Sequence, residues 1–138
     1  MAPNYRHILN SILEAWNAHD LERFVSFFAP DFEGMDIAQA APVRGLEGVY
    51  AASRLYLSAF PDAHVTPDRV VIEGENAMLA WTGCGTHQGK FMHIPPTDRF
   101  VTVKGVSVLT FLDDKIYRGQ YLWDVAGLLR TIGLLPEL

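Results

Sequence analysis

The chain has almost no cysteine, and this limits its covalent chemistry. Cys84 is the only cysteine among 138 residues, so no disulfide can form within the chain. Disulfides belong to oxidising compartments, so we expect a reducing, cytoplasmic location. No basic residue lies near Cys84 in the sequence to activate its thiol, so we expect a small core residue there.

Positive charge is scarce and scattered. The 11 Lys and Arg residues are outnumbered by 16 Asp and Glu residues, which gives a formal net charge of −5. No basic run is present that could neutralise phosphates or bind anionic lipids. We therefore expect neither nucleic acid nor a membrane as a partner.

Several motifs that mark other classes of protein are missing. No apolar run approaches the roughly 18 residues of a membrane span, and the first residues lack the apolar core of a signal peptide. The five histidines form no close-spaced ligand set, so we predict no metal site. A glycine-rich phosphate loop and a nucleophile elbow are absent too, which excludes nucleotide-binding and serine-hydrolase classes. We expect no cofactor.

The composition is that of one globular domain. Apolar residues make up 49% of the chain and charged residues 20%, far from a disordered composition. A chain of this length can bury a core of its own. We expect residues 1–138 to form a single domain without repeats or linkers.

The first half of the chain is predicted to be mainly helical, because its apolar residues recur at helical spacing. Pro30 and Pro61 interrupt that spacing, since proline cannot continue a helix. The predicted elements are helices over 5–18, 21–28 and 46–59, a short strand over 32–36 and a loop over 38–45.

In the second half the period changes to two residues, which is typical of strands. The predicted elements are strands over 63–73, 77–87, 100–112 and 115–124, a loop over 88–99 and a short helix from 125 to 133. Helices followed by meandering strands indicate an α+β fold, with the helices on one face of a curved antiparallel sheet. A doubly wound sheet would alternate strands and helices.

Asp124 stands where the last strand meets the last helix. An acid beside Trp123 and under a helix is a plausible base for proton transfer, because burial would shift its pKa. The same carboxylate could simply accept the free amide hydrogen bonds of a helix N-terminus. Both readings stay open on the residues alone.

Short motifs along nearly the whole chain resemble the SnoaL-like polyketide cyclases. This family is part of the nuclear-transport-factor-2-like and ketosteroid-isomerase-like superfamily. The motifs are Trp16-Asn-Ala-His-Asp20, Val43-Arg-Gly45, Phe60-Pro-Asp62, Thr82-Gly-Cys-Gly-Thr-His-Gln-Gly89, Ile94-Pro-Pro-Thr97, Gly105-Val-Ser-Val108 and Trp123-Asp124 with the helix after it.

The resemblance implies a cystatin-like cone, in which the sheet wraps around the N-terminal helices and encloses an apolar cavity. It also implies a homodimer joined through the outer sheet face. The founding members close a ring of a polyketide by acid/base chemistry without metal or cofactor. Their carboxylate lies at the end of the last strand, the position of Asp124, so we expect proton transfer on a small apolar carbonyl compound.

His87 is the second candidate catalytic residue. Strict alternation along 77–87 places it on the same face as Trp81. It could carry a proton or hold a substrate oxygen there. It could equally be a hydrogen-bonded histidine that steadies the 88–99 loop.

Further residues are predicted to bind the substrate, and most of them are large and aromatic. They are Trp16, Tyr56, Phe60, Trp81, Phe91, Gln120 and Trp123. In a regular last strand, Arg118 and Gln120 would share a face with Asp124, and Tyr117 and Tyr121 would lie opposite. A bulge would exchange these assignments.

Two other functions stay open. Epoxide opening of the limonene-epoxide-hydrolase type needs two acids and an Arg around one water, which Asp124, Arg118 and a second inward acid would have to supply. A non-catalytic dimer that binds a small apolar ligand is also compatible, because one fold hosts many functions.

Overall fold

A computed structural model gives the structure of the protein and describes residues 3–137. Four helices and six strands follow the order of the chain. They are α1 (Tyr5–Asn17), α2 (Leu21–Val25), β1 (Phe28–Asp36), β2 (Val43–Arg44), α3 (Gly45–Ala59), β3 (His64–Glu73), β4 (Asn76–Thr86), β5 (Phe100–Leu112), β6 (Lys115–Trp123) and α4 (Val125–Thr131).

All six strands form one sheet in the order β2-β1-β6-β5-β4-β3. β3 to β6 are an antiparallel meander, whereas β1 pairs with β6 in parallel. The sheet is curved and unclosed, and α1 and α3 pack against it through β3 and β1. The predicted α+β class is therefore confirmed. The sheet is mixed and not purely antiparallel, because the first strand lies parallel to the last one.

Two of the predicted elements differ from the structure near the N-terminus. The second helix ends at Val25, not at residue 28, and the strand after it begins at Phe28, not at 32. Pro30 explains this difference, because it biases the residue before it towards extended backbone. The predicted 38–45 loop also contains β2, whose two residues are too few to show a period in the sequence.

The core consists of two clusters of buried side chains. One lies between α1, β1 and the ends of β5 and β6, where Leu9, Phe32 and Phe111 are buried. The other lies between the end of α3, the 88–99 loop and α4, and contains Phe60, Phe91 and Leu128. These clusters hold the helices against the concave face of the sheet.

Aromatic rings lie over glycines on the concave face. The positions that a Cβ would take at Gly34 and Gly105 are 2.5 Å and 2.3 Å from ring atoms of Phe32 and Trp81. Side chains there would collide with the rings, so only glycine fits. Glycine at these points lets large rings lie close to the backbone of the sheet.

Candidate functional site

The concave face and the helices enclose a cavity of about 280 Å³. Its walls are mostly apolar and aromatic, as is usual for sites that bind small molecules. Asp36 is the only acid in the wall among residues 3–137, and the wall there contains no Lys or Arg. The other polar side chains of the wall are those of Ser53, Tyr56, His64, Ser107, Tyr121 and the three tryptophans.

Asp36 is the centre of a hydrogen-bond network at one side of the cavity. It is only 8% exposed, and its Oδ2 accepts the hydroxyl hydrogen bond of Tyr56. Its Oδ1 accepts two bonds, from Trp123 Nε1 at 3.1 Å and from the Ala38 amide at 2.9 Å. Donors from α3, from β6 and from the turn after β1 therefore fix the carboxylate against the wall.

Strand alternation explains why Asp36 faces inward. Phe32, Gly34 and Asp36 are buried on β1, and the residues between them are exposed. This places Asp36 at the end of β1, directly beside Tyr121 of β6. Tyr121 in turn pairs with Ser107 of β5. An acid, a phenol and an alcohol thus stand in one row on three neighbouring strands.

Both tyrosines near Asp36 resist ionisation. Burial, together with the hydrogen bond to Asp36, raises the pKa of Tyr56 above its ordinary value of 10.0. Burial and the nearby Asp36 charge raise the pKa of Tyr121 as well. Both phenols therefore keep their protons at neutral pH and can donate hydrogen bonds.

Trp81 is held rigidly in the cavity wall. Its Nε1 donates to Ser107 Oγ at 3.1 Å, and its six-membered ring covers Gly105. Because the Ser107 oxygen already accepts this bond, its own proton can be donated elsewhere. The tryptophan thus orients the serine.

The structure brings most of the predicted substrate-binding residues together. Trp16, Tyr56, Phe60, Trp81 and Trp123 all line the cavity. Their part in binding a substrate stays a prediction.

Phe91 and Gln120 do not line the cavity. Phe91 is fully buried behind the wall, with its ring centroid 5.5 Å from that of Tyr56 and 6.2 Å from that of Trp123. Gln120 is exposed. The pairing of β5 with β6 shifts register beyond Thr110, and the end of β6 turns Tyr121 and Trp123 inward, so Gln120 faces out.

Asp124 lies outside the cavity wall. Its carboxylate Oδ1 accepts the Gly127 amide at 2.9 Å, which makes it the N-cap of α4. The prediction that Asp124 is buried is wrong, because this residue is exposed. Alternation along the chain places it on the face opposite to Trp123. The capping interpretation is confirmed, and the catalytic one stays a prediction without support from this placement.

His87 is fully buried but lies behind Phe60, at 5.5 Å between the ring centroids. It is not part of the cavity wall. Its Nδ1 is 3.0 Å from Thr97 Oγ1, and its backbone exchanges hydrogen bonds with Asp98 and Arg99. These contacts match a histidine that anchors the 88–99 loop, whereas a role in proton transfer stays a prediction.

Sequence reasoning missed three polar residues of the wall: Asp36, Ser107 and Tyr121. Asp36 lies in the predicted strand over 32–36, and alternation from Phe32 already points it inward. Ser107 shows the same alternation with Leu109. Tyr121 could not be assigned, because the sequence does not reveal where the irregular pairing of β6 falls.

Among residues 3–137, no group of three or more His, Cys, Asp or Glu side chains is placed to hold a metal ion. No helix of that range is both long and apolar enough to cross a membrane.

The fold is that of the ketosteroid-isomerase-like proteins. A protein with that fold from Catenulispora acidiphila superposes with a TM-score of 0.81 at 18% identity, over 98% of this chain and 96% of that one. Within this class, the chain belongs to the SnoaL-like polyketide cyclase family, whose family model matches residues 6–132. The resemblance seen in the motifs is thereby confirmed.

Two solved structures from Streptomyces are more similar in sequence. TsrD of Streptomyces laurentii is 27% identical, with a TM-score of 0.84 over 95% of this chain and 96% of that one. IdmH of Streptomyces antibioticus, for which a polyketide cyclase activity is proposed, is 25% identical, with a TM-score of 0.82 over 95% and 99%. A comparison with curated proteins finds no match.

Proposed function

We propose that the protein catalyses proton transfer next to the carbonyl group of a small apolar compound bound in the cavity, leading to cyclisation or isomerisation without a cofactor. The observation that carries this proposal is Asp36, the one carboxylate that residues 3–137 contribute to the apolar wall. Membership of a polyketide cyclase family supports the same reaction class.

Asp36 Oδ2 is the proton acceptor in this proposal. It accepts one hydrogen bond, from Tyr56, whereas Oδ1 accepts two. A carboxylate oxygen has about two acceptor positions, so Oδ2 keeps one free. The apolar walls would exclude water from the reacting atoms.

The hydroxyl of Tyr121 is the proposed donor to the substrate oxygen. Tyr121 lines the cavity beside Asp36, and its hydroxyl lies over Gly119, 3.0 Å from the position that a Cβ would take there. A protonated phenol at this point would stabilise the negative charge that develops on the oxygen. Ser107 is a second donor in the same row.

The carbon–hydrogen bond next to the carbonyl breaks, its proton goes to Asp36, and the electron pair forms an enolate whose oxygen faces Tyr121. In an isomerisation, Asp36 returns the proton to a different carbon. In a cyclisation, the enolate carbon attacks a second carbonyl of the same molecule, and the new alkoxide takes the proton back.

Hydrogen–deuterium exchange on 2-tetralone in D₂O tests this proposal, because it needs no knowledge of the natural substrate. We expect the wild-type protein to accelerate loss of the α-proton signal in NMR. Asp36→Asn should lower that rate by about 10²–10⁴-fold. Asp124→Asn, which keeps a cap on α4, should leave it unchanged.

The outcomes separate the remaining functions. Full exchange activity in Asp36→Asn together with loss in Asp124→Asn would return the catalytic role to Asp124. Binding of 2-tetralone without any exchange would favour a non-catalytic binding protein. Epoxide opening has the least support, because the wall contains one acid and no Arg among residues 3–137, and Arg118 is exposed.

We also propose a homodimer joined through the outer sheet face. Val71, Met78, Val108, Gln120 and Met35 form one row across five strands there, by register. Val71 and Met78 are 49% and 48% exposed. Exposed apolar rows of this kind favour contact with another protein surface.

A further inference from the structure

The cavity wall carries one negative charge that no positive side chain neutralises. Asp36 is its acid, and no Lys or Arg is found in the wall among residues 3–137. The partners of Asp36 are two neutral side chains and an amide. These donors solvate the carboxylate but leave its net charge in place. His64, which also lines the cavity, is exposed.

Trp81 turns the face of its indole towards the cavity. Its three ring atoms nearest to the Cβ position at Gly105 are 2.3, 2.6 and 2.8 Å away. Such similar distances to adjacent atoms mean that this position lies over the face of the ring and not beside its edge. One face therefore covers the sheet at Gly105, which leaves the opposite face to the cavity.

Two of the three tryptophan N–H groups are engaged by the wall, whereas the buried Nε1 of Trp16 has no hydrogen-bond partner among residues 3–137. Trp81 donates to Ser107, and Trp123 donates to Asp36. An aromatic ring is positive at its edge and negative over its face. Because the N–H groups of Trp81 and Trp123 are engaged by the wall, these two positive edges are not turned towards a bound cation.

We propose that the cavity binds small organic cations with apolar substituents, above all quaternary ammonium compounds, between the aromatic faces and the Asp36 carboxylate. Aromatic cages of Trp and Tyr recognise such cations through the negative ring faces. A quaternary ammonium group donates no hydrogen bond, so an apolar wall leaves none of its groups unpaired. The cavity of about 280 Å³ limits the occupant to less than a drug-sized molecule.

This binding activity goes beyond the proposed proton transfer and does not depend on it. In the proposed reaction the negative charge moves from Asp36 to the substrate, so the site holds one negative charge throughout. A bound cation would stabilise the negative charge on Asp36 and occupy the same cavity as the substrate. It should therefore compete with 2-tetralone.

The test compares two probes of the same shape, benzyltrimethylammonium and its neutral isostere 2,2-dimethylpropylbenzene. All three tryptophans line the cavity, so quenching of their fluorescence reports binding directly. We expect the cation to bind the wild-type protein at least about tenfold more tightly than the isostere. The ratio should fall towards one in Asp36→Asn.

Asp114→Asn is the matched control, because it removes the same charge from an exposed turn. It should keep the wild-type ratio. Equal or tighter binding of the neutral isostere to the wild-type protein would overturn the proposal, and that comparison requires no variant to fold. A cation preference that persists undiminished in Asp36→Asn would overturn it too.

Discussion

At the scale of single residues, Gly105 decides where Trp81 lies. A Cβ there would be 2.3 Å from the ring, so Gly105→Ala should push the indole away and break its bond to Ser107. We expect the free energy of unfolding to fall by about 1–3 kcal/mol, as in overpacked cores. Urea unfolding measures this change, and tryptophan fluorescence reports the ring.

Ser107→Ala is the control for that substitution. It removes the hydrogen bond of Trp81 without adding an atom beside the ring. If Gly105→Ala destabilises the protein no more than Ser107→Ala does, the contact between the ring and the backbone is not what holds Trp81.

Tyr56 and Tyr121 make stability depend on alkaline pH. The pKa of each is raised in the folded state, so their stabilising contribution is fully present below the unfolded value of about 10. As pH rises above 10, the unfolded state loses these protons first, and stability falls. Urea midpoints at pH 9 and pH 11 should show this loss.

Tyr56→Phe and Tyr121→Phe identify the source of that pH dependence. Each variant lacks one phenol, so the decrease between pH 9 and pH 11 should be smaller than in the wild-type protein. An undiminished decrease in the double variant would assign the effect to other groups.

At the scale of secondary-structure elements, α4 depends on its N-cap, the residue directly before it. Asp124 supplies the side-chain hydrogen bond to Gly127, and α4 has only seven residues. Asp124→Ala should cost about 1 kcal/mol of stability in urea unfolding, whereas Asp124→Asn should be close to wild type, because Asn caps equally well. A large loss in the Asn variant would show that the charge contributes more than the cap.

The elements also show what a sequence reveals about a site. Regular alternation was enough to predict β3, β4 and β5 to within one or two residues. In β6 it grouped Gln120 and Asp124 on the face opposite to Tyr121, as the structure has them, but it did not show that the Tyr121 face is the inner one. The sequence predicts the acid of the site at the end of the last strand, at Asp124, whereas the acid in the wall is Asp36 on the neighbouring strand β1. Local patterns do not reveal that β1 pairs with β6 in parallel.

At the scale of the whole molecule, the outer sheet face should determine the oligomeric state. Met78→Asp introduces a charge into the apolar row and should convert a dimer into a monomer, because a buried unpaired charge is costly. Sedimentation velocity measures this directly. Asn76→Asp adds the same charge at the exposed end of β4 and should leave the dimer intact.

The parallel pairing of β1 with β6 also determines at which stage of folding the site can form. Asp36 and its partner Trp123 are 87 residues apart in sequence, so their contact closes a loop that includes most of the chain. Contacts of such long range form late in folding. During synthesis, the carboxylate of Asp36 would lack this partner until the last strand leaves the ribosome, because chains emerge from the N-terminus. A protein shortened before Trp123 would keep the acid but could never assemble its pocket.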